Sequence, residues 1–474
     1  MPSAIRPRST ARARASFPDV APGLVCATCG SGFASESARL VCTCGGLLDV
    51  VLGPEASAPD LRERFERRRR AGEAGPEAAS GVWRYRELVL PGSGPTVSHP
   101  EGNTPLYRRA AIEAWVGLDD LALKHEGENP SGSFKDRGMT VAVTQAVRRG
   151  ATAVACASTG NTSASMAAYA AQAGLPALVF VPRGKVAAGK LAQALAYGAR
   201  TLLVRGDFDA CLRLARESAD KLGVTLLNSV NPWRIEGQKT IVLEMLQQRD
   251  WEPPDWIVVP GGNLGNSSAF GKAFAELLEL GLIERAPRLA VINAAGANTL
   301  YELFERRGLR WNGGEPDLEI VRKYYAELDA GGAKADTIAS AIEINRPVNL
   351  LKCLRALDVC DGVVREVTDQ EILDAKARVG SGGFGCEPAS AASVAGAKLL
   401  REQGVIGADD RVVCILTGHQ LKDPTATVAY HTTDQKLFNE VLGQRGVQRA
   451  AFANRAVAVP NNLDEIIKAI KLYS

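Results

Sequence analysis

A lysine stands in the turn Asn129-Pro-Ser-Gly-Ser-Phe-Lys-Asp-Arg-Gly-Met139, at the mouth of a predicted helix. Such an amine can hold an aldehyde as a Schiff base. Buried beside Phe134, it would also lose its proton more readily, as nucleophilic or general-base work requires. Alone, Lys135 reads far more readily as a solvated surface lysine next to Asp136 and Arg137, since most lysines are exposed. The loops that accompany it change that reading.

Ser158-Thr-Gly-Asn-Thr-Ser163 places small hydroxyls and a glycine where a strand turns into an Ala-rich helix. Backbone N–H groups at such a helix start make an anion site suited to a carboxylate, although the same residues also serve as a plain N-cap. Gly261-Gly-Asn-Leu-Gly-Asn266 opens a second helix after Val258-Val259-Pro260, and its glycines allow close backbone approach to a phosphate. A dinucleotide would call for an acid after the next strand, but Leu289 to Ile292 runs into Asn293-Ala-Ala-Gly, so a monophosphate fits better. Thr417-Gly-His-Gln-Leu-Lys-Asp-Pro424 supplies a neutral hydroxyl that can bond a heterocyclic nitrogen without protonating it. Asn228-Ser-Val-Asn-Pro-Trp-Arg234 groups amides, a hydroxyl and a guanidinium, a set that suits a second phosphate.

These loops need a frame. From about residue 120 short β-branched runs alternate with longer amphipathic segments, the pattern of βαβ units on a parallel sheet. The predicted strands are Ala151 to Ala155, Ala177 to Val181, Thr201 to Val204, Val224 to Leu227, Trp256 to Val259, Leu289 to Ile292 and Arg411 to Leu416. Helical spacing marks Phe208 to Leu222 and Gly237 to Gln248 between them. The chemistry-bearing loops follow strands, at the carboxyl edge where open α/β sheets bind ligands.

At 474 residues and 46% hydrophobic, the chain exceeds what one core holds, so several packed units are expected. A net charge of +3 calls for neither nucleic acid nor an anionic membrane. The basic run Arg62, Arg64 and Arg67 to Arg70 is interleaved with Glu63 and Glu66, as on a solvated helix. No apolar run has the length of a membrane span or the shape of a secretory signal, so the cytoplasm is the expected compartment. Residues 1 to 18 carry Arg6, Arg8, Arg12 and Arg14 without an acid, which suits an organelle transit peptide or, the reading preferred here, a disordered tail.

Cys26-x-x-Cys29 and Cys42-x-Cys44-Gly-Gly resemble a zinc ribbon, with four thiolates closing a tetrahedral site, although the C-x-C spacing departs from the usual C-x-x-C. Free thiols in a degenerate remnant are the alternative. The six other cysteines are scattered singly, as expected in a reducing compartment. The expected organisation is a tail over 1–20, a zinc-ribbon-like module over 21–55 and a helical linker and lead-in over 56–103. A catalytic core over 104–430 follows, with a smaller α/β subdomain inserted at about 130–250, and then an extension over 431–474 whose Leu463 to Leu472 segment reads as an amphipathic helix.

In family order, the segments 129–139, 158–163, 228–234, 261–266, Cys386-Glu-Pro-Ala-Ser-Ala-Ala-Ser-Val-Ala-Gly396 and 416–424 resemble the threonine synthases, fold-type II pyridoxal-phosphate enzymes related to tryptophan synthase β. The resemblance covers roughly residues 100 to 430. It implies two open α/β domains with parallel-rich sheets and the cofactor in the cleft between them. It further implies that Lys135 carries pyridoxal phosphate and that Asn161 bonds its phenolic oxygen. Gly262, Asn263, Leu264, Gly265 and Asn266 would hold the cofactor phosphate, and Thr417 the pyridine nitrogen. Ser158, Thr159 and Thr162 would take the substrate carboxylate, while Lys190, Asn228, Ser229 and Arg234 would take the phosphate of O-phospho-L-homoserine.

The implied reaction is γ-elimination of phosphate and β-addition of water to give L-threonine, with Lys135 moving protons, in a protein that is commonly a homodimer. Glu387 and His419 fall inside matching segments without an assignable role. On the same scaffold a threonine dehydratase or cysteate synthase needs no second phosphate site. A catalytically dead, zinc-binding regulatory protein is the alternative from another class.

Overall fold

The computed structural model describes residues 23–70, 75–184, 188–206 and 208–471, with the side chains of 188–190, 208, 209, 220 and 471 outside that description. The tail expected at 1–20 lies outside it as well. Three short strands, β1 (Gly23–Cys26), β2 (Gly32–Phe33) and β3 (Leu48–Val51), form an antiparallel sheet in the order β2-β1-β3. Cys26 ends β1 and Cys29 lies in the turn after it, while Cys42 and Cys44 lie at the turn that leads into β3. Helix Leu61–Arg70 buries Leu61 and Phe65 and exposes most of its charges, as the interleaved pattern predicts.

Ten further strands make two sheets. The larger is built from β4 (Leu106–Tyr107), β5 (Asp120–His125), β10 (Trp256–Pro260), β11 (Arg288–Ala294), β12 (Val363–Val367) and β13 (Arg411–Leu416). Its order is β12-β11-β10-β13-β5-β4, with only β4 antiparallel to its neighbour. The smaller comprises β6 (Val154–Ala157), β7 (Ala177–Pro182), β8 (Arg200–Val204) and β9 (Thr225–Leu226), all parallel, in the order β8-β7-β6-β9.

All seven strands expected from β-branched runs overlap observed strands, with shifts of a few residues at their ends. The β-branched patterning does not mark β4, β5 or β12. β5 ends in Lys124 and His125, polar residues that are nonetheless buried because the fold supplies partners for them. The helix expected from Gly237 begins earlier, at Pro232, where Asn231 caps it by accepting from Trp233 N at 3.1 Å and proline occupies the first turn. Gly237 itself is required by packing rather than by a turn. A Cβ there would lie 1.8 Å from the Arg137 carbonyl oxygen, so this glycine lets helix Pro232–Gln248 pass against helix Lys135–Arg148.

A buried ionic cluster locks those two helices to β5. Glu244 accepts from Lys124 Nζ at 2.6 Å and Arg137 Nη2 at 2.9 Å, while Arg137 Nε donates to Glu126 at 2.6 Å. The backbone N–H groups of Asn103 and Thr104 complete the Glu244 carboxylate at 2.7 and 2.9 Å. Arg137 and Lys124 hold Glu244 well below the usual carboxylate range against the cost of burial. The start of the Lys135 helix is thereby fixed to the large sheet.

Candidate active site

A cleft of about 1120 Å³ opens between the carboxyl ends of the two parallel sheets. Loops after β5, β6, β9, β10 and β13 all reach it. Lys135 is the first residue of helix Lys135–Arg148, with Nζ 3.8 Å from the centroid of the Phe134 ring. Part of its surface stays open to the cleft, yet surrounding protein desolvates the amine. That burial, reinforced by the Arg234 charge and opposed by Glu387, lowers Lys135 to about 7. An amine with that affinity exchanges protons readily at neutral pH.

The turn bearing Lys135 is sewn to the loop after β13. Phe134 N donates to the Thr417 carbonyl at 3.0 Å, and His419 N donates to the Gly132 carbonyl at 2.9 Å. Thr417 is buried, with its hydroxyl 2.9 Å from Ser390 Oγ. Across the cleft, helix Asn161–Gln172 starts after Gly160 with no side-chain cap, leaving its first N–H groups facing the cavity lined by Ser158, Thr159, Asn161 and Thr162. Ser158 Oγ accepts from Gly160 N at 3.3 Å and so shapes this turn.

After β10, Leu264 adopts a left-handed backbone at φ 62° as the N-cap of helix Gly265–Glu279. This turns the Gly262–Asn266 backbone toward the cleft. A Cβ on Gly262 would meet Ile342 Cα at 2.9 Å, so the glycine brings the loop against the opposite wall. Gln238 holds Asn266 Oδ1 at 2.7 Å, and Asn263 Oδ1 accepts from Val348 N at 3.0 Å. The loop is therefore braced from two sides before any ligand enters.

Asn228, Ser229 and Arg234 line the same cleft after β9. The Asn228 amide is clasped to β6, accepting from Ala157 N at 3.0 Å and donating to Ala157 O at 2.9 Å. Ser229 Oγ accepts from Asn263 Nδ2 at 3.2 Å and keeps its own hydrogen to donate. Arg234 is buried, donates Nη1 to the Leu227 carbonyl at 3.3 Å, and has Nε without a hydrogen-bond partner. Among the described residues no carboxylate forms a salt bridge with it, and burial lowers it to about 10. A buried guanidinium of this kind is a receptor for an anion. Lys190 lies on helix Ala188–Ala196, with its side chain outside the described residues.

Glu387 and Lys422 also line the cleft, and their roles were not legible in the sequence. Lys422 donates to Gln193 Oε1, joining the loop after β13 to the helix that bears Lys190. His419 lies beside them; burial and the nearby His125 lower its pKa, and its Nδ1 accepts from Leu421 N at 3.2 Å as a turn-forming residue.

Residues 97–418 match the family model described as pyridoxal-phosphate dependent enzyme. The threonine synthase of Methanocaldococcus jannaschii is 44% identical over 405 residues, covering 85% of this chain and 93% of that protein. The chain belongs to the threonine synthase family of pyridoxal-phosphate-dependent enzymes. Threonine synthase of Synechocystis is 42% identical over 361 residues, 74% of this chain and 87% of that protein. In fold, the chain is similar to tomato threonine deaminase isoform 2, with a TM-score of 0.55 at 18% identity over 73% of this chain and 89% of that one. Maize serine racemase gives 0.52 at 21% identity over 72% and 92%. This is the fold-type II architecture, two parallel-rich α/β units around a cleft.

The cofactor of this threonine synthase family member is pyridoxal phosphate, and the cleft suits it. It offers an amine, a glycine-rich turn at a helix start and a buried neutral hydroxyl. The N-terminal module suits a second inorganic group. The Sγ atoms of Cys26, Cys29, Cys42 and Cys44 all lie within 4.8 Å of one another, with Cys26–Cys44 at 3.5 Å and Cys29–Cys42 at 3.6 Å. Edges of a tetrahedron with zinc–sulfur bonds of roughly 2.3 Å are about 3.8 Å long, so the donor set fits structural zinc. Among the described residues no helix is long and apolar enough to cross a membrane.

Proposed function

We propose that this protein is the threonine synthase of its cell, converting O-phospho-L-homoserine and water to L-threonine and phosphate. The observation that carries the choice over other fold-type II reactions is Arg234, a buried guanidinium with an unpartnered Nε in the cleft that holds Lys135. A threonine dehydratase has no substrate phosphate to spend such a group on.

Lys135 would carry the cofactor, with Gly262, Asn263, Leu264, Gly265 and Asn266 holding its phosphate, Thr417 its ring nitrogen and Asn161 its phenolic oxygen. Pyridoxal phosphate supplies an electron sink that makes the α- and β-hydrogens of the bound amino acid acidic. Ser158, Thr159 and Thr162, with the N–H groups at the start of helix Asn161–Gln172, orient the substrate carboxylate. Arg234, Ser229 and Asn228, assisted by Lys190, hold the substrate phosphate and stabilise it as it leaves the γ-carbon. Lys135 Nζ accepts the α-proton, moves protons along the substrate carbons and returns one at the end. Holding both ends of the substrate puts its carbon chain beside that amine, which is where proximity lowers the barrier.

The two-unit division of the core with an inserted smaller part, a structural zinc ion on the four cysteines, a cytoplasmic homodimer and the absence of nucleic-acid partners complete the proposal. The test is product analysis with two substrates. Phosphate and threonine should form from O-phospho-L-homoserine, with ammonia release from threonine slower by orders of magnitude. Turnover of threonine alone would make the protein a dehydratase.

A further inference from the structure

Glu387 occupies the N-cap position of helix Pro388–Glu402, yet its side chain makes no capping hydrogen bond to that helix. The buried carboxylate instead reaches across the cleft to Asn161. Asn161 Nδ2 lies 3.0 Å from Oε2 and 3.3 Å from Oε1, and Thr417 Oγ1 lies 3.4 Å from Oε1. Space for this is built in. A Cβ on Gly418 would lie 2.5 Å from the Glu387 carboxyl carbon, and Glu387 N is fixed to the Gly418 carbonyl at 3.0 Å. Burial raises Glu387 above the usual carboxylate range; the Asn161 hydrogen bond and the facing charges of Lys135 and Lys422 pull the other way, and Asp423 adds to the rise.

An ionised carboxylate offers only acceptors, so it takes the NH2 side of a neighbouring amide. With one Nδ2 hydrogen on Glu387, the other hydrogen of Asn161 is free for the cleft. Without that anchor the amide can turn and present its oxygen, which repels a phenolate. We propose that Glu387 is a positioning residue for cofactor binding, setting the Asn161 amide so that it faces the cleft as a hydrogen-bond donor. This rests on the reading that Asn161 bonds the cofactor's phenolic oxygen. Since Asn161 follows β6 of the small sheet and Glu387 follows the large-sheet element β12 in sequence, the contact also ties the two walls of the site together.

The test is a double-mutant cycle on the full chain, titrated with pyridoxal phosphate and followed by the absorbance of the bound cofactor. Glu387→Ala should raise the cofactor Kd about tenfold, within the span for coupled neighbours, and shift the absorbance maximum. Asn161→Ala should do the same, and the double variant should bind within about twofold of Asn161→Ala alone. If Glu387→Ala does not fold, Glu387→Met, which fills the space without a strong acceptor, takes its place in the cycle and is read by the same criteria. Effects that multiply, or a Glu387 variant with unchanged Kd and absorbance, would overturn the proposal while leaving the Asn161 reading intact. An unchanged Kd for Asn161→Ala would instead remove the role given to Asn161, and the proposal with it.

Discussion

The backbone N–H of Phe134 donates to the Thr417 carbonyl at 3.0 Å, joining the turn that aims Lys135 to the loop that ends the last strand of the large sheet. Two segments almost 300 residues apart thus set the amine and the buried hydroxyl as one unit. The relation explains how a flexible lysine can have a fixed task.

Lys135→Ala should lower phosphate release from O-phospho-L-homoserine by on the order of 10²–10⁴-fold or more, the usual worth of a positioned acid or base. Its thermal unfolding should stay close to the parent's, since the lysine fills a cleft and makes no ion pair among the described residues. A steady-state assay beside a melting curve separates the two.

Because burial holds Lys135 at about 7, its neutral form predominates above that pH and is lost below it. A base must be unprotonated to accept a proton, so kcat should fall about tenfold per pH unit on the acid side and level off above about pH 7. A kcat profile from pH 5.5 to 9 checks this. Arg234→Lys should move the acid limb little, as it retains the positive charge beside Lys135.

Arg234→Ala should raise KM for O-phospho-L-homoserine by roughly 10- to 100-fold, the equivalent of losing charge-assisted hydrogen bonds worth about 1.5–3 kcal/mol. Cofactor Kd should change by less than about threefold. The split between substrate and cofactor binding distinguishes an anion receptor from a merely structural arginine.

Glu244→Ala should destabilise the fold by about 3–5 kcal/mol in urea unfolding, because it strands Lys124 as an uncompensated buried cation and leaves Arg137 with Glu126 alone. Both are fully buried, so water cannot replace the missing carboxylate.

One zinc ion per chain is the expected metal content, lost in Cys42→Ala. The consequence should reach the active site. Asp49 on β3 pairs with Lys352 at 2.9 Å and Arg355 at 2.8 Å, and Lys272 donates to the Val50 carbonyl at 2.7 Å. Lys272 sits on the helix that follows the Gly262–Asn266 loop, and Lys352 on the helix after Asn349, whose N–H donates to Asn263 O at 3.2 Å. Chelation should therefore weaken cofactor binding several-fold as well as lower the unfolding temperature, measured by cofactor titration and calorimetry.

The parts of the site that could be read in advance are those whose chemistry is local. A glycine-rich turn after a hydrophobic run, or a lysine in a Ser/Gly turn, carries its meaning within a few residues. Glu387 and Lys422 do not, because their partners Asn161 and Gln193 lie more than 220 residues away. β5 was obscured for the same reason: Lys124 looks like a surface residue until Glu244, 120 residues on, neutralises it. The apolar runs of β6, β7, β10, β11 and β13 needed no such distant help, since burial on both faces is written into their composition.

The most direct test of the central claim is the stoichiometry of products when the cofactor-loaded protein meets O-phospho-L-homoserine. One phosphate released per L-threonine formed, with Lys135→Ala inactive, is the predicted result. No phosphate release from that substrate, alongside ammonia release from threonine, would contradict it.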